Sequence, residues 1–347
     1  MKSLVAASAL AALLATGTTV AQELPKTTFN VVGSIGTLSM YVDREKPFWT
    51  ETIPEKSNKA ITVQVKPFTE LGFKGGEIFR LVSKGTLQAA TTVLAYNSGE
   101  VPTNEAADLV GLVGSVKQLH EVADAFRPTY AEFLEKEHGI KLLGFGTYQA
   151  QVIYCRDEFK SIADLKGRKV RASGASQQAF VDFLGGSPIT IAFAEVQPAL
   201  ANGVVDCAIT GALSGYKAKW HESARFISPM PITFGLAAHM ANLKWWNSLD
   251  PAVQTFLEKN VADLENSIFE LAATETATGL ACNTTGPCSE GEPAGMTLVE
   301  VTDADEVLRK EALTSVILPA FADRCGAACT KSWNDTIGKF MNLAISQ

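Results

Sequence analysis

The chain has 347 residues and a formal net charge of −7; 46% of its residues are hydrophobic and 19% are charged. This is the composition of a globular protein, and the length suffices for two domains at roughly 100–200 residues each. Basic residues are scattered singly rather than in blocks, so we expect neither nucleic acid nor an acidic membrane surface as a partner.

The N-terminus has the pattern of a secretory signal peptide. Lys2 supplies a positive start, residues 4–16 form an apolar run rich in alanine and leucine, and residues 19–21 are small. The run is too short to span a bilayer, and the small residues fit a cleavage site near Ala21. We therefore predict that residues 1–21 are a signal peptide and that the mature protein is exported.

Strands and helices alternate along the next part of the chain. The predicted elements are strands at 28–32, 61–67, 87–94 and 141–145 and helices that end near residue 57 and span 77–83 and 118–137. Strands joined by crossover helices form parallel sheets. These segments predict a first α/β domain.

The stretch 161–211 predicts a second unit of the same kind. Its elements are strand 169–171, helix 177–184, strand 189–191, helix 194–203 and strand 204–209. Arg171 stands where the first of these strands gives way to a turn of small residues. Open α/β sheets bind ligands at the carboxyl ends of their strands, so Arg171 is a candidate binding residue.

The last third of the chain predicts one very long helix. A short helix at 214–220 and an apolar strand at 232–240 precede it. Asp250 and Pro251 are typical of a helix N-cap and first turn, and no breaker follows until about residue 278. A helix of that length could contact both domains. A strand at 297–301 and a helix at 303–321 complete the chain.

Six cysteines in an exported protein favour disulfides. Cys155 and Cys207 both fall in predicted strands of the central unit and could be bridged if those strands are neighbours. The other four either close two local loops or cross-link the segments around 285 and 327; they are Cys282, Cys288, Cys325 and Cys329. A zinc site is the less favoured alternative, since no histidine lies near them.

Catalytic motifs do not stand out. The four histidines form no HExxH pair, and neither a GxSxG elbow nor a Walker A loop occurs, so we expect no enzyme, no metal and no cofactor. Arg171 could offer a guanidinium fork to a carboxylate, a pairing that selects planar acids. A surface salt bridge is the equally weighted alternative for this residue.

Four segments resemble the DctP-like solute-binding proteins of tripartite ATP-independent periplasmic (TRAP) transporters. They are DLKGRKVRASG at 164–174, LGGSPITIAFAEVQPALANGVVD at 184–206, GEIFRLVSKGTLQAA at 76–90 and WWNSLDPAVQ at 245–254. The resemblance implies a periplasmic, type II binding-protein-like fold with two α/β domains, a hinge and a long helix spanning both. It places domain I at 26–147 plus 236–275 and domain II at 148–235 plus 276–347. It also implies an organic acid as ligand and membrane permease subunits as partners; we expect a monomer.

The resemblance also assigns residues. Arg171 matches the arginine that clamps the ligand carboxylate, while Tyr148 stands where some members carry a second arginine. Thr210 and Cys207 replace an asparagine and a glycine that are frequent in the family. Aromatic residues expected near the cleft are Phe145, Tyr148, Trp220 and Phe234, with a place in the core as the alternative for each. First-domain candidates for polar contacts are Glu70, Tyr96 and the turn at 33–37.

One carboxylate clamp surrounded by aromatic rings indicates a monocarboxylate, with aromatic acids among the candidates. Two alternatives remain open at this point. An exported enzyme could use the same cleft with Asp206 as its base, although Asp206 could equally fix a strand end. A binding protein of an ATP-driven importer, or a sensor, would have the same fold.

Overall fold

The computed structural model describes residues 23–346, so the predicted signal peptide lies outside the described residues. The described strands form two separate sheets. From edge to edge, the first sheet has the strands β2 (61–67), β1 (27–33), β3 (89–93), β10 (237–242) and β4 (140–146). The second has the strands β11 (297–298), β9 (226–233), β5 (151–155), β8 (207–211), β6 (169–172) and β7 (187–190). Each sheet is covered by helices, which confirms the predicted α/β class with two α/β bodies.

The first sheet is built from the predicted N-terminal unit. Its strands are β1 (Thr27–Gly33), β2 (Ile61–Pro67), β3 (Ala89–Val93), β4 (Ile140–Gly146) and β10 (Ala237–Asn242). β1 pairs in parallel with β2 and β3, as crossover helices require, whereas β10 runs antiparallel between β3 and β4. β2 alternates buried and exposed residues along most of its length, which explains why its bounds could be read from the sequence.

The second sheet contains the central unit. Its strands are β5 (Gln151–Cys155), β6 (Lys169–Ala172), β7 (Ser187–Thr190), β8 (Cys207–Gly211), β9 (Phe226–Thr233) and β11 (Thr297–Leu298). β6 is parallel to β7 and β8, while β5 is antiparallel to β8 and β9. The mixed sheet places Arg171 on β6, flanked by strands on both sides.

The helices and helical turns surround both sheets. Those before β6 are Met40–Glu45, Phe48–Thr52, Ile53–Lys56, Gly75–Ser83, Leu94–Asn97, Pro102–Glu105, Val116–Phe133, Leu134–His138 and Ile162–Leu165. Those after β6 are Ala175–Phe183, Phe193–Glu195, Val196–Ala201, Ala212–Lys217, Trp220–Glu222, Leu243–Trp246, Pro251–Asn283, Asp303–Ala312, Leu313–Ile317, Leu318–Trp333, Asn334–Gly338 and Lys339–Met341.

The long helix Pro251–Asn283 confirms the predicted start and exceeds the predicted length. The Asp250 side chain accepts a hydrogen bond from the Ala252 N–H at 2.8 Å, and Pro251 occupies the first turn. At 33 residues the helix is about 50 Å long. It packs on β4 of the first sheet and on the helix Ala212–Lys217 beside the second, so one helix contacts both bodies.

Two predicted strands needed correction. The strand predicted at 232–240 is wrong as a single element, because β9 ends at Thr233 in the second sheet and β10 begins at Ala237 in the first. Gly235, with φ of +69°, turns the chain between them. The strand predicted at 204–209 begins later, at Cys207, because Val204 is 50% exposed and precedes the sheet.

The C-terminal region packs against both bodies. It is kinked at Gly326, and Trp333 donates a hydrogen bond to the carbonyl of Ala106 in the first body at 2.9 Å. By length and mean hydropathy the helical run Asp303–Met341 could cross a membrane, but Phe321, Trp333 and Ile337 are buried against the rest of the protein. We therefore treat it as part of the globular structure.

Three disulfides cross-link the described part of the chain. Cys155 and Cys207 are paired residues of the neighbouring strands β5 and β8, so the predicted bridge is present. The remaining four cysteines close two local loops, Cys282–Cys288 and Cys325–Cys329, rather than cross-linking the two segments. Every cysteine of the described chain is therefore oxidised.

Candidate functional site

Arg171 is a buried cation held in place by backbone. It pairs with Ile189 of β7 and Ala208 of β8, and only 1% of its surface is exposed. Its Nε donates to the carbonyl of Ile191 at 3.1 Å, and its Nη1 donates to the carbonyl of Ile209 at 2.7 Å. These two bonds fix the orientation of the guanidinium from behind.

Within residues 23–346, Arg171 forms no ion pair with an aspartate or glutamate. Burial lowers the pKa of its guanidinium, and the nearby Tyr96 opposes that shift. Burying a charge without a counter-ion is costly, so such a residue points to an anion that arrives from outside the chain.

Tyr96 approaches Arg171 from the other body. It lies in the turn Leu94–Asn97 that directly follows β3, and its ring packs over Gly75, where a side chain would collide with it. Burial raises the pKa of the Tyr96 hydroxyl, while the charge and hydrogen bond of Arg171 lower it. The two sheets therefore meet at this pair of side chains.

A cavity of about 440 Å³ lies at the same place. One wall comes from residues 68, 69 and 72–76 and from Tyr96, and the other comes from Arg171, Ser173 and residues 190–195. These segments follow the carboxyl ends of β2, β3, β6 and β7, where open parallel sheets bind ligands. The cavity therefore lies at the carboxyl ends of strands from both sheets.

Lys74 and Glu195 form an ion pair across this cavity. Lys74 precedes the helix Gly75–Ser83, Glu195 precedes the helix Val196–Ala201, and their Nζ and Oε1 atoms are 3.1 Å apart. Both side chains are more than half exposed, so the pair contributes only about 0–1 kcal/mol. Phe68, Phe73 and Phe193 add apolar surface to the cavity walls.

Trp220 lies behind Arg171 in the second body. The guanidinium carbon is 6.0 Å from the centre of its ring, close enough for a cation–π contact. Phe193, which lines the cavity, packs against the same ring at 5.7 Å between centroids. Trp220 is fully buried, so its contact with the cavity runs through these two neighbours.

Tyr148 lies in the first of two segments that connect the sheets. Its backbone N–H donates to the carbonyl of Phe234 in the second connecting segment at 3.2 Å, and its ring packs over Gly235. Burial and the charge of Glu45 raise the pKa of its hydroxyl, and Ser34 opposes them. The hydroxyl is buried and makes no hydrogen bond of regular geometry.

A polar cluster lies beside Tyr148 on the first body. Glu45 is fully buried and accepts hydrogen bonds from the Ser34 N–H at 2.8 Å and the Ser34 hydroxyl at 2.5 Å. His239 Nδ1 is 3.5 Å from the second Glu45 oxygen and 2.8 Å from the Thr91 hydroxyl. Burial lowers the pKa of His239, which favours the neutral ring.

Two of the predicted aromatic candidates lie in packed surroundings away from the cavity wall. Phe145 lies on β4 and packs against Tyr130 and Arg127; it does not line the cavity. Phe234 lies in the connecting segment, and its N–H donates to Asp108 at 2.9 Å. Neither ring contributes to the cavity wall, because the local backbone directs each one into packed surroundings.

The remaining two candidates are neighbours of the cavity rather than parts of its wall. Thr210 follows Ile209, the residue that holds Arg171, and is buried opposite Val152 on β5. Glu70 is exposed beside Thr69, which does line the cavity. The turn at 33–37 touches the same wall, since the Gly36 N–H donates to the Thr69 hydroxyl at 3.1 Å.

Sequence reasoning missed several residues of this region. Thr69, Phe73 and Phe193 follow parallel strands directly, so the strand-end rule that identified Arg171 could have found them. Glu45 and His239 carried no such signal, because they lie far apart in sequence and meet only in the folded chain.

The connecting segments are anchored by buried polar groups. Asp108 accepts hydrogen bonds from the N–H groups of Phe234 and Leu236, both at 2.9 Å. Burial raises the pKa of Asp108 to about 7, against the opposing effect of these bonds. Gln177 joins Gln151 and Thr233 at 2.9 Å each, which ties the helix after Arg171 to the same region.

One other group could hold a metal ion in principle. The ligand atoms of His120, Asp124 and Glu265 lie within 4.8 Å of one another, away from the cavity. The Arg127 guanidinium already pairs with both carboxylates, and a cation would have to displace it. The arrangement fits an ion-pair network better than a metal site.

The sequence and fold match known proteins. The model of the bacterial extracellular solute-binding protein family 7 matches residues 41–322. The C4-dicarboxylate-binding periplasmic protein DctP of Rhodobacter capsulatus is 25% identical over 281 residues, which cover 80% of this chain and 81% of that protein.

Solved structures share the fold. DctP7 of Bordetella pertussis, an extracytoplasmic solute receptor binding pyroglutamic acid, has a TM-score of 0.78 at 21% identity, covering 89% of this chain and 99% of that one. A TRAP periplasmic solute-binding protein of Rhodoferax ferrireducens with bound malonate has a TM-score of 0.76 at 19% identity, covering 91% and 98%. At these identities the likeness extends to the fold alone.

Proposed function

Because the chain belongs to family 7 of the bacterial extracellular solute-binding proteins, we propose that it captures a small organic carboxylate and delivers it to a TRAP-type membrane permease. The observation that carries the proposal is Arg171, a fully buried guanidinium without an acidic partner at the wall of a cavity between two sheets. A ligand carboxylate would supply the missing charge through a bidentate pair.

The proposed ligand is a monocarboxylate. Arg171 is the only unpaired buried arginine that we find beside the cavity in the described part of the chain, and the opposite wall is largely aromatic and glycine-rich. A flat acid would lie between Tyr96 and Phe193 with its carboxylate against Arg171. The relatives' names include a lactam acid and a dicarboxylate, so the family accommodates different acids on one fold.

The proposed mechanism is closure of two domains around the ligand. We propose domain I at 26–147 plus 236–275 and domain II at 148–235 plus 276–347, with the connecting segments around Tyr148 and Phe234 as hinge. Arg171 belongs to one domain and Tyr96 to the other, so a ligand that contacts both stabilises the closed state. Trp220 and Thr210 would then support the site from behind Arg171, Phe145 would belong to the core of the first body, and Glu70 would lie at the rim of the site.

The proposed location is the periplasm, with cleavage near Ala21 and a monomeric mature protein. Family membership and the three disulfides support an exported protein. The partners would be the membrane subunits of the permease, which accept the ligand from the closed protein.

A thermal-shift screen against a panel of organic acids tests the proposal. A ligand at 100 times its dissociation constant should stabilise the protein by about 2.7 kcal/mol. Arg171→Gln should remove the shift, while Arg168→Gln is the matched control. Arg168 lies three positions before Arg171, immediately before β6, and donates to the carbonyls of Asp157 and Glu158 instead. Equal shifts in both variants, or no shift with any acid, would contradict the proposal.

An enzyme on a carboxylated substrate is the second candidate and has weaker support. Its motif-placed base, Asp206, accepts a hydrogen bond from the Lys169 N–H at 2.8 Å and so fixes the start of β6. Mass spectrometry of a bound acid after prolonged incubation would detect turnover. An ATP-driven importer as partner would be indicated by co-purification with an ATPase rather than with permease subunits.

A further inference from the structure

Ser173 lies on the cavity wall beside Arg171. It directly follows β6 and is two positions after Arg171, so the two side chains leave the backbone on the same face. Both residues line the cavity, whereas the intervening Ala172 does not. The chain then contacts the first body, since the Ala175 N–H donates to the Ser98 hydroxyl at 2.9 Å. Ser173 is therefore placed where an acid held by Arg171 lies between the two bodies.

The proton of the Ser173 hydroxyl is already used inside the protein. The hydroxyl donates to Gln177 Oε1 at 3.0 Å, and the Ser173 N–H donates to the same oxygen at 2.8 Å. A serine hydroxyl carries one proton and two lone pairs. Within residues 23–346, no N–H or O–H group donates to the Ser173 oxygen. That oxygen can therefore still accept a hydrogen bond.

The orientation of the Gln177 amide determines the direction of these bonds. A backbone N–H can only donate, so the amide atom that faces the Ser173 N–H must be the oxygen. At the other end, Gln177 Nε2 donates to Gln151 Oε1 and to Thr233 Oγ1, both at 2.9 Å. Only 2% of the Gln177 surface is exposed, so these bonds are shielded from water. The Ser173 hydroxyl therefore directs its proton to Gln177 and leaves its lone pairs for another partner.

We propose that Ser173 is a specificity-determining residue whose hydroxyl oxygen accepts a hydrogen bond from a hydroxyl or N–H group of the acid bound to Arg171. This inference rests on the proposed function and narrows its ligand class. The class is a small carboxylic acid with a hydrogen-bond donor a few bonds from the carboxylate, such as a hydroxy acid or a lactam acid.

The same arrangement discriminates against acids that carry only an acceptor at that place, such as oxo acids. A ligand acceptor would have to draw the Ser173 proton away from Gln177, so one hydrogen bond would be exchanged for another. A ligand donor adds a bond to the Ser173 oxygen and breaks none within the protein. Because the net contribution of one hydrogen bond corresponds to about five- to tenfold in affinity, the hydroxy acid should bind more tightly by about that factor.

The test compares matched acids by calorimetry on the mature protein. Each set contains a hydroxy acid, the oxo acid of the same carbon skeleton and the acid without the substituent. The sets are lactate, pyruvate and propionate; mandelate, phenylglyoxylate and phenylacetate; and 3-hydroxybutyrate, acetoacetate and butyrate. We expect the hydroxy acid of at least one set to bind about five- to tenfold more tightly than both other members of that set.

Two serine variants assign the preference to this residue. Ser173→Ala removes the hydroxyl, but Gln177 Oε1 keeps the bond from the N–H of residue 173, so the amide oxygen is not left unpaired. This variant should bind the unsubstituted acid as the wild type does and lose the preference for the hydroxy acid. Ser176→Ala is the matched control, because Ser176 lies in the first turn of the helix Ala175–Phe183, is buried and does not line the cavity. It should keep the preference in full.

The outcomes separate the two proposals. The role of Ser173 would be overturned if no hydroxy acid bound more tightly than the other members of its set, or if the preference survived Ser173→Ala. Loss of all binding in Ser173→Ala would also overturn it, because the hydroxyl would then support the fold rather than a donor of the ligand. In each of these cases, binding of any acid that disappears in Arg171→Gln would still support the proposed function. Absence of binding by every acid would overturn both proposals.

Discussion

A single methyl group at Gly75 should disturb the proposed binding site. A Cβ at this position would lie closer than 3.0 Å to two carbons of the Tyr96 ring, well inside ordinary contact. Because carbon atoms pack at about 3.5–4.0 Å, the ring would have to move by about 1 Å. Tyr96 is only partly buried, so the ring can move, and it would draw its hydroxyl away from Arg171.

The size of the effect follows from two opposing contributions. Alanine is the better helix former, by up to about 1 kcal/mol, whereas overpacking costs about 1–3 kcal/mol. We therefore expect Gly75→Ala to be neutral or destabilising by up to about 2 kcal/mol in urea unfolding. Affinity for the acid should fall by about tenfold, because one charge-assisted hydrogen bond across the cleft is lost.

Gly76→Ala is the matched control for this prediction. It lies one residue further along the same helix, and a Cβ there would approach only the Tyr96 carbonyl oxygen, at 3.4 Å. Its affinity and stability should equal those of the wild type or exceed them slightly. If Gly75→Ala bound the acid as tightly as Gly76→Ala, the role assigned to the Tyr96–Arg171 contact would be refuted.

Three further predictions concern stability. Gly279→Ala should lower the free energy of unfolding in urea by about 2 kcal/mol or more, although alanine favours helices. The reason is that its Cβ would lie closer than 3.0 Å to backbone atoms of Ala212 and Leu213. An unchanged urea midpoint would contradict this prediction. Burial raises the pKa of Asp108 to about 7 from 3.8, so its contribution to stability is full below pH 3.8 and is lost as the pH rises through about 7. Asp108→Asn should abolish the resulting difference between unfolding at pH 5 and pH 8, and persistence of that difference would assign it to another group. Glu265→Gln should lower the free energy of unfolding in urea by about 2–4 kcal/mol, since it breaks the buried ion pair with Arg127. A loss below about 0.5 kcal/mol would show that this ion pair is solvated.

Local patterns explain why much of the fold could be predicted from the sequence. β2 alternates buried and exposed residues, and its predicted and observed bounds are identical. Asp250 and Pro251 specify the start of the long helix through a side-chain cap and a fixed backbone angle. Both signals depend only on residues a few positions apart, so neighbouring parts of the chain could not alter them.

Predictions failed where the tertiary structure decided the outcome. The residues from Ile232 to Met240 are uniformly apolar, as in one buried strand, yet the chain leaves one sheet and enters the other within them. Gly235 was the local sign, because its positive φ permits the turn. Apolarity alone does not say which of two sheets a segment joins.

The candidate site also contains both residues that a local pattern predicts and residues that only the tertiary structure brings together. Arg171 follows from the strand-end rule, because its position depends on β6 alone. The contact of Glu45 with His239 depends on β10 lying beside β3, which brings together residues that no sequence pattern connects. The resemblance to a transporter family identified the first residue and gave no indication of the second pair.

Exposed and buried contacts across the cleft differ in energy, and this difference determines how closure of the two domains depends on the ligand. The Lys74–Glu195 pair is more than half exposed, so its contribution of about 0–1 kcal/mol is too small to hold two domains together. Arg171 is buried, and a pairing made there is not weakened by water in the same way. The unpaired charge of Arg171 would therefore make closure depend on the ligand rather than on the surface ion pair.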